Sequence, residues 1–196
     1  MDKTIQEERI RGYFITAAKD LIRAEGLAVV TARNVAERAG YSYATLYNYF
    51  HDIRDLIFCC IEDFMDECRE FVQNETLHAK TKTYVEKLLL LSKAFAKFFI
   101  QYPGIFVLLY EQKSNSIATQ NSNIGEIGGF FDSLTSEIWQ ELGEKNKSTK
   151  HAMETRRMTH ALALQGMLMM HINRRDNRDY PGLIRDIERI TLFVAE

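Results

Sequence analysis

The chain has 196 residues, 46% of them hydrophobic and 11% aromatic, with 25 Lys+Arg against 27 Asp+Glu for a formal charge of −2. This is too apolar for a disordered chain and fits one globular domain, or a small module fused to a larger one. Its 10 Gly and 2 Pro are too little punctuation for an all-β sandwich or barrel, and no uncharged apolar run reaches the ~18 residues of a membrane helix.

In chain order the apolar spacing predicts helices nearly everywhere. Ile10, Phe14, Ala17, Ala18, Leu21 and Ile22 recur at three- and four-residue steps and predict a first helix over Ile10–Arg23, ended by Gly26. Thr31 is the expected N-cap of a two-turn helix from Ala32 to Arg38, stopped by Gly40. Ser42 caps a third short helix reaching Asn48. Asp52 opens a fourth, with Asp55 imitating a capping box, that runs past Leu56, Phe64, Cys68 and Val72. A long helix over Lys80–Gln101 is stopped by Pro103-Gly104, and the apolar segment Ile105–Tyr110 follows. The polar stretch Lys113–Asn123 is expected to be a loop. Further helices are predicted over Ile124–Leu142 and Lys150–Asn173, and a last one opens at Pro181-Gly182. The fold class is all-α: a three-helix head over residues 1–55 and a helical body over 56–196.

Two short helices joined by a tight glycine turn make a helix-turn-helix when the second is free to enter a groove. Between Thr31 and Phe50 the residues Val35, Ala36, Ala39, Leu46 and Phe50 can bury, leaving Tyr43, Thr45, Tyr47 and Asn48 outward on the third helix. Those side chains can donate or accept hydrogen bonds, or stack on a base.

The run Thr31-Ala32-Arg33-Asn34-Val35-Ala36-Glu37-Arg38-Ala39-Gly40-Tyr41-Ser42-Tyr43-Ala44-Thr45-Leu46-Tyr47-Asn48-Tyr49-Phe50 resembles the DNA-binding signature of the TetR family of transcriptional regulators. The likeness covers about residues 8–60 and includes Ala17-Ala18, Glu25-Gly26 and Leu56. Three positions depart from the pattern: Tyr41 replaces a small aliphatic residue, Ala44 a frequent Gly, and Ile53 a Lys that typically helps hold a phosphate. The resemblance implies base or nearby contacts for Ser42, Tyr43, Thr45 and Asn48. It implies phosphate contacts for Thr31, Arg33, Tyr47 and His51, with Arg54 a partial substitute for the missing Lys. Residues 1–55 carry eight basic side chains, Lys3, Arg9, Arg11, Lys19, Arg23, Arg33, Arg38 and Arg54, against eight acidic ones. That zero balance is weak for a nucleic-acid binder, unless Lys3, Arg9, Arg11 and Arg33 share a face.

The resemblance further implies a body that encloses a ligand pocket and forms a homodimer through its last two helices, binding double-stranded DNA at a near-palindromic operator. Candidate pocket residues are Phe64, Cys68, Phe95, Phe99, Phe106, Tyr110, Phe130, Trp139, Met167 and Met170. An apolar or aromatic small-molecule effector, releasing a repressor from its operator, is the expectation. Aromatic and Met residues at helical spacing are more often the plain lining of a core. For the dimer face, His160, Leu164, Met167 and His171 form one stripe and Leu183, Ile184, Ile187, Ile190 and Phe193 another.

No catalytic, metal or cofactor site is expected. Cys59, Cys60 and Cys68 lack C-x-x-C spacing, Glu75-x-x-His78 has no second copy, and no G-x-S-x-G is present. Three crowded cysteines and a polar N-terminus predict a cytoplasmic, non-membrane protein with reduced thiols. The rival reading is a helical protein-interaction adapter whose head has lost DNA binding.

Overall fold

The computed structural model describes residues 3–77, 79–111, 129–146, 149–175 and 177–195, and every regular element among them is helical. The order is α1 Lys3–Glu25, a 3₁₀ turn Leu27–Val29, α2 Ala32–Ala39, α3 Tyr43–Leu46, α4 Ile53–Leu77 and α5 Tyr84–Gln101. Then come α6 Pro103–Phe106, a π-helical turn Val107–Glu111, α7 Phe130–Lys145, α8 Lys150–Ile172 and α9 Tyr180–Ala195. The chain divides into two units: the described residues of 1–66 with 102–127, and those of 67–101 with 128–196. The α4 helix begins in the first and ends in the second.

In the first unit α1 buries Phe14, Ala17, Ala18, Leu21 and Ile22, the stripe that its spacing predicts. It starts seven residues before Ile10, because residues 4–9 are exposed and carry no apolar period to mark them. Gly40 ends α2 in the left-handed region at φ 79°, its N–H and that of Tyr41 turning back to the last carbonyls of the helix. The third helix is a single turn, shorter than the seven residues predicted, and its chain then turns through Tyr47–Tyr49 to bring Phe50 inward. Pro103-Gly104, predicted as a stop, also starts α6, with Pro103 in its first turn. A Cβ on Gly104 would lie 2.5 Å from the Ile22 carbonyl oxygen, so glycine alone lets α6 lie against the end of α1.

In the second unit α5 packs on α7, α8 and α9, and α8 on α7 and α9. Its start at Tyr84 rather than Lys80 has a local cause. Thr83 Oγ1 accepts the Glu86 N–H at 3.1 Å and Glu86 Oε2 accepts the Thr83 N–H at 3.2 Å, a reciprocal capping box. The stripe predicted for the α8 dimer face divides: His160 and Leu164 are fully buried within the unit, Met167 and His171 are half-buried, and the most outward apolar residues are Met158, Leu162 and Met170. Likewise Leu183 and Ile187 on α9 are core, while Leu192 and Phe193 face out, Phe193 at 75% exposure. Apolar residues surround α8, so periodicity alone cannot say which stripe is inward. The predicted Lys113–Asn123 loop and the first part of the helix predicted from Ile124 lie outside the described residues.

Candidate nucleic-acid interface and pocket residues

Two capping hydrogen bonds set the local geometry of the helix-turn-helix. Thr31 Oγ1 accepts the Asn34 N–H at 3.2 Å and Ser42 Oγ accepts the Thr45 N–H at 3.1 Å. The Ser42 and Thr45 hydroxyls also lie 2.8 Å apart. With Leu46 and Phe50 buried, the pitch of the short α3 turn leaves Tyr43 62% and Tyr47 49% exposed. Ser42 and Asn48 are exposed and Thr45 half-buried. The four tyrosines of this segment thus divide. Tyr41 and Tyr49 sit 5.4 and 6.0 Å from the Phe14 ring, in a cluster closed by Phe50 edge-on at 6.3 Å. Tyr43 and Tyr47 project from it.

The cations divide as well. Arg11 is engaged within the head, its Nη2 donating to Cys59 Sγ at 2.8 Å and its guanidinium lying over Phe50. Lys19 pairs with Asp63, and Arg23 with Asp20. Exposed Arg9, Arg33 and Arg38 have no ion-pair partner among the described residues; Arg9 donates to the Tyr13 hydroxyl instead. Arg38 was not singled out by sequence reasoning, and its signal was only its place on the outer face of α2.

Arg54 is held differently. Its Nε and Nη2 donate to Asp52 Oδ2 at 2.9 and 2.6 Å. That guanidinium, with the Asp55 N–H, holds the Asp52 carboxyl below its usual range. Asp52 also caps α4 by accepting the Arg54 and Asp55 N–H groups. An aspartate has therefore claimed the cation that would replace the missing Lys at Ile53. Asp52→Asn keeps a capping oxygen and removes the charge, so it should raise duplex affinity and steepen the salt dependence by up to about one counterion, measured by mobility shift across salt concentrations. His51 is exposed, with its N–H on Asp55 Oδ2 at 3.1 Å.

The predicted pocket residues fall in both units. In the first, Phe64 is buried beneath Lys19 and Arg23, and Phe106 packs on Tyr110 at 4.9 Å. In the second, Cys68, Phe95, Phe99, Phe130 and Trp139 are buried, Phe95 touching Phe99 and Phe130 ring to ring at 4.8 and 6.2 Å. Met167 is half-buried, whereas Met170 is 39% exposed on the outward side of α8. Burial pushes the Cys59 thiol up and Cys60 up to about 12, and it raises Cys68 further, so all three remain thiols at neutral pH.

Sequence reasoning missed a polar node inside the second unit. His160, Ser92 and Thr191 are buried at 0% exposure and lie together, His160 against the aromatic rings of Phe131 and Trp139. The signal was available: Ser92 and Thr191 interrupt the inward apolar stripes of α5 and α9 at helical spacing. Trp139 also lines a groove of about 650 Å³ between α7 and α8, with Met153, Gln140 and Arg157.

Residues 14–58 match the family described as bacterial regulatory proteins, tetR family. No curated protein matches the chain by sequence. Among solved structures it is similar to a TetR transcriptional regulator from Rhodococcus sp. RHA1, at 17% identity and TM-score 0.66, covering 96% of this chain and 97% of that one. It is also similar to the fatty acid degradation regulator FadR from Bacillus halodurans, at 17% identity and TM-score 0.70, covering 95% and 94%. A third is a tetR-family transcriptional regulator from Streptomyces coelicolor, at 15% identity and TM-score 0.68, covering 95% and 79%. Residues 14–58 thus match the model of the tetR family of bacterial regulatory proteins, and the chain as a whole has the fold of these TetR-family transcriptional regulators.

Proposed function

We propose that the protein is a homodimeric repressor that binds a near-palindromic operator and is released by a small apolar or aromatic effector. The observation that carries the DNA-binding half is the projection of Tyr43 and Tyr47 beside the capped Ser42–Thr45 turn, with Leu46 and Phe50 fixing the turn from inside. Tyr43, Thr45, Ser42 and Asn48 read bases. Thr31, Arg33, Tyr47 and His51 hold phosphates, joined by Arg9 and Arg38. Of the effector, the support is the aromatic body around Phe95, Phe99, Phe130 and Trp139. The unbroken α4, which begins in one unit and ends in the other, carries the change between the state that fits the operator and the state the effector prefers.

The test is a mobility shift with duplex from upstream of the protein's own coding sequence, across salt concentrations. Tyr47→Phe should weaken binding about fivefold on all sequences, the loss of one phosphate hydrogen bond. Arg33→Gln should lower the salt slope by about one, and changes at Tyr43 or Thr45 should alter which bases are preferred. A purified protein that ignores every duplex even in dilute salt is an adapter instead, a reading that the neutral head and the Asp52–Arg54 pair would then explain.

The dimer forms through the outward stripe of Met158, Leu162 and Met170 on α8 with Leu192 and Phe193 on α9, apolar surface that a monomer would leave in water. Phe193→Asp puts a charge in the centre of that face. Sedimentation should then show monomer at concentrations where the parent is a dimer, with the helical signal retained.

A further inference from the structure

The buried polar node contains two groups that the protein itself leaves unmatched, and their chemistry is complementary. His160 Nε2 lies 3.0 Å from Thr191 Oγ1 and 3.4 Å from Ser92 Oγ. Each hydroxyl has one proton, and each spends it on its own helix. Ser92 donates to the Leu88 carbonyl at 2.7 Å and Thr191 to the Ile187 carbonyl at 2.7 Å. Both oxygens can therefore only accept from the imidazole, which places the ring proton on Nε2. Burial holds His160 down to about 4, so the ring is neutral at neutral pH and Nδ1 is a bare acceptor. That Nδ1 has no hydrogen-bond partner among the described residues, and neither has the Trp139 Nε1–H, a donor. The two rings stand 5.7 Å apart between centroids, and both side chains are at least 97% buried.

A buried donor and a buried acceptor on neighbouring rings call for a group that is both, and a hydroxyl is the smallest such group. An oxygen that reached both nitrogens would accept from the indole and donate to the imidazole. Trp139 is also part of the wall of the groove between α7 and α8, whose volume of about 650 Å³ is that of a small-molecule site. Trp139 thus belongs both to the unmatched pair and to an open groove in which its ring and Met153 lie beside Lys150, Glu154 and Arg157.

We propose that Trp139 and His160 form a two-point recognition site for the hydroxyl of an otherwise apolar or aromatic ligand, whose remainder lies in the α7–α8 groove on Trp139 and Met153. This rests on the reading of the body as effector-binding and narrows it to hydroxylated apolar molecules. The hydroxyl gives specificity in the way buried polar groups do, because an analogue without it leaves both nitrogens unpaired. The site is lined by a neutral donor and a neutral acceptor, so a carboxylate, which only accepts, would strand the imidazole nitrogen.

The experiment uses the full-length protein without DNA and two probes of nearly equal shape, 1-naphthol and naphthalene, titrated by calorimetry or by quenching of the single tryptophan. Naphthol should bind about tenfold more tightly or better, and the preference should fall to near unity in Trp139→Phe and in His160→Phe, each of which keeps a ring in place. Nitrogen NMR of the unliganded protein should show His160 protonated on Nε2 alone, with the Nδ1 signal moving upfield on adding naphthol as it accepts a proton. Equal binding of the two probes overturns the proposal while leaving an apolar effector site standing, and marks the node as a place for an internal water only. Binding of neither probe, or a His160 protonated on Nδ1, overturns it as well. Operator release is scored separately, by adding naphthol to the mobility shift: a probe that binds with the predicted preference yet leaves the duplex bound contradicts the effector-release reading and not the site.

Discussion

Phe14→Ala should cost about 3–5 kcal/mol in urea unfolding, the usual price of emptying a large aromatic site in a close-packed core. Phe14 is fully buried and is the ring on which Tyr41, Tyr49 and Phe50 converge, from before α3, after it, and at the approach to α4. A cavity there cannot be filled by sliding one neighbour, because those three rings are held by separate turns of backbone. Domain stabilities run at about 5–15 kcal/mol, so the loss is a large share of the total. Duplex binding should fall with it, for the turn that presents Tyr43 and Tyr47 is anchored through Phe50 and Leu46. The informative contrast is Tyr43→Ala, which removes an exposed ring and should change stability by less than about 0.5 kcal/mol while changing binding. If Phe14→Ala unfolds within 1 kcal/mol of the parent, the tyrosine cluster is surface decoration and its account as the support of α3 fails.

The difference between Tyr43 and Tyr49 marks what could be learned from the chain without coordinates. The alternation of Val35, Ala36, Leu46 and Phe50 with polar residues, framed by Thr31, Gly40 and Ser42, specifies both the turn and the outward tyrosines, since caps and glycine act locally. Which tyrosine turns back to Phe14 depends on a ring contact across 35 residues, and no local rule carries that. The same limit explains α8. Its N-terminus is fixed locally, Thr149 accepting the Ala152 N–H, but its inward side is chosen by α5 and α9, whose polar residues Ser92 and Thr191 meet His160. Nor could charge counting separate Arg33 from Arg54. Both are basic residues of the N-terminal helices, yet one is unpaired among the described residues and the other is spent on Asp52 two residues away. A zero net charge thus conceals an uneven distribution, which is the quantity that governs phosphate binding.

His160 should make the protein acid-sensitive in a definable window. Its ring is fully buried against Phe131 and Trp139, and that burial, disfavouring the imidazolium, moves it from the ordinary 6.5 down to about 4. In the unfolded chain the same ring takes up a proton near 6.5. The unfolded state therefore binds more protons between those two values, and stability must rise with pH across them. The contribution is complete above about pH 6.5, falls as the pH drops toward 4, and levels off below. At pH 4.5 the loss from this one group is about 2.5 kcal/mol. Urea unfolding at pH 7.5 and 4.5 of the parent and of His160→Phe measures it. Phenylalanine keeps a ring, and it leaves Ser92 and Thr191 with their bonds to Leu88 and Ile187. Carboxylates that titrate in the same window contribute to both proteins and cancel in the comparison. The parent should lose about 2–3 kcal/mol more than the variant. Parallel losses would mean that the imidazole is already charged or reaches water in the folded state, and the neutral Nε2–H form on which the Trp139–His160 pair depends would go with it.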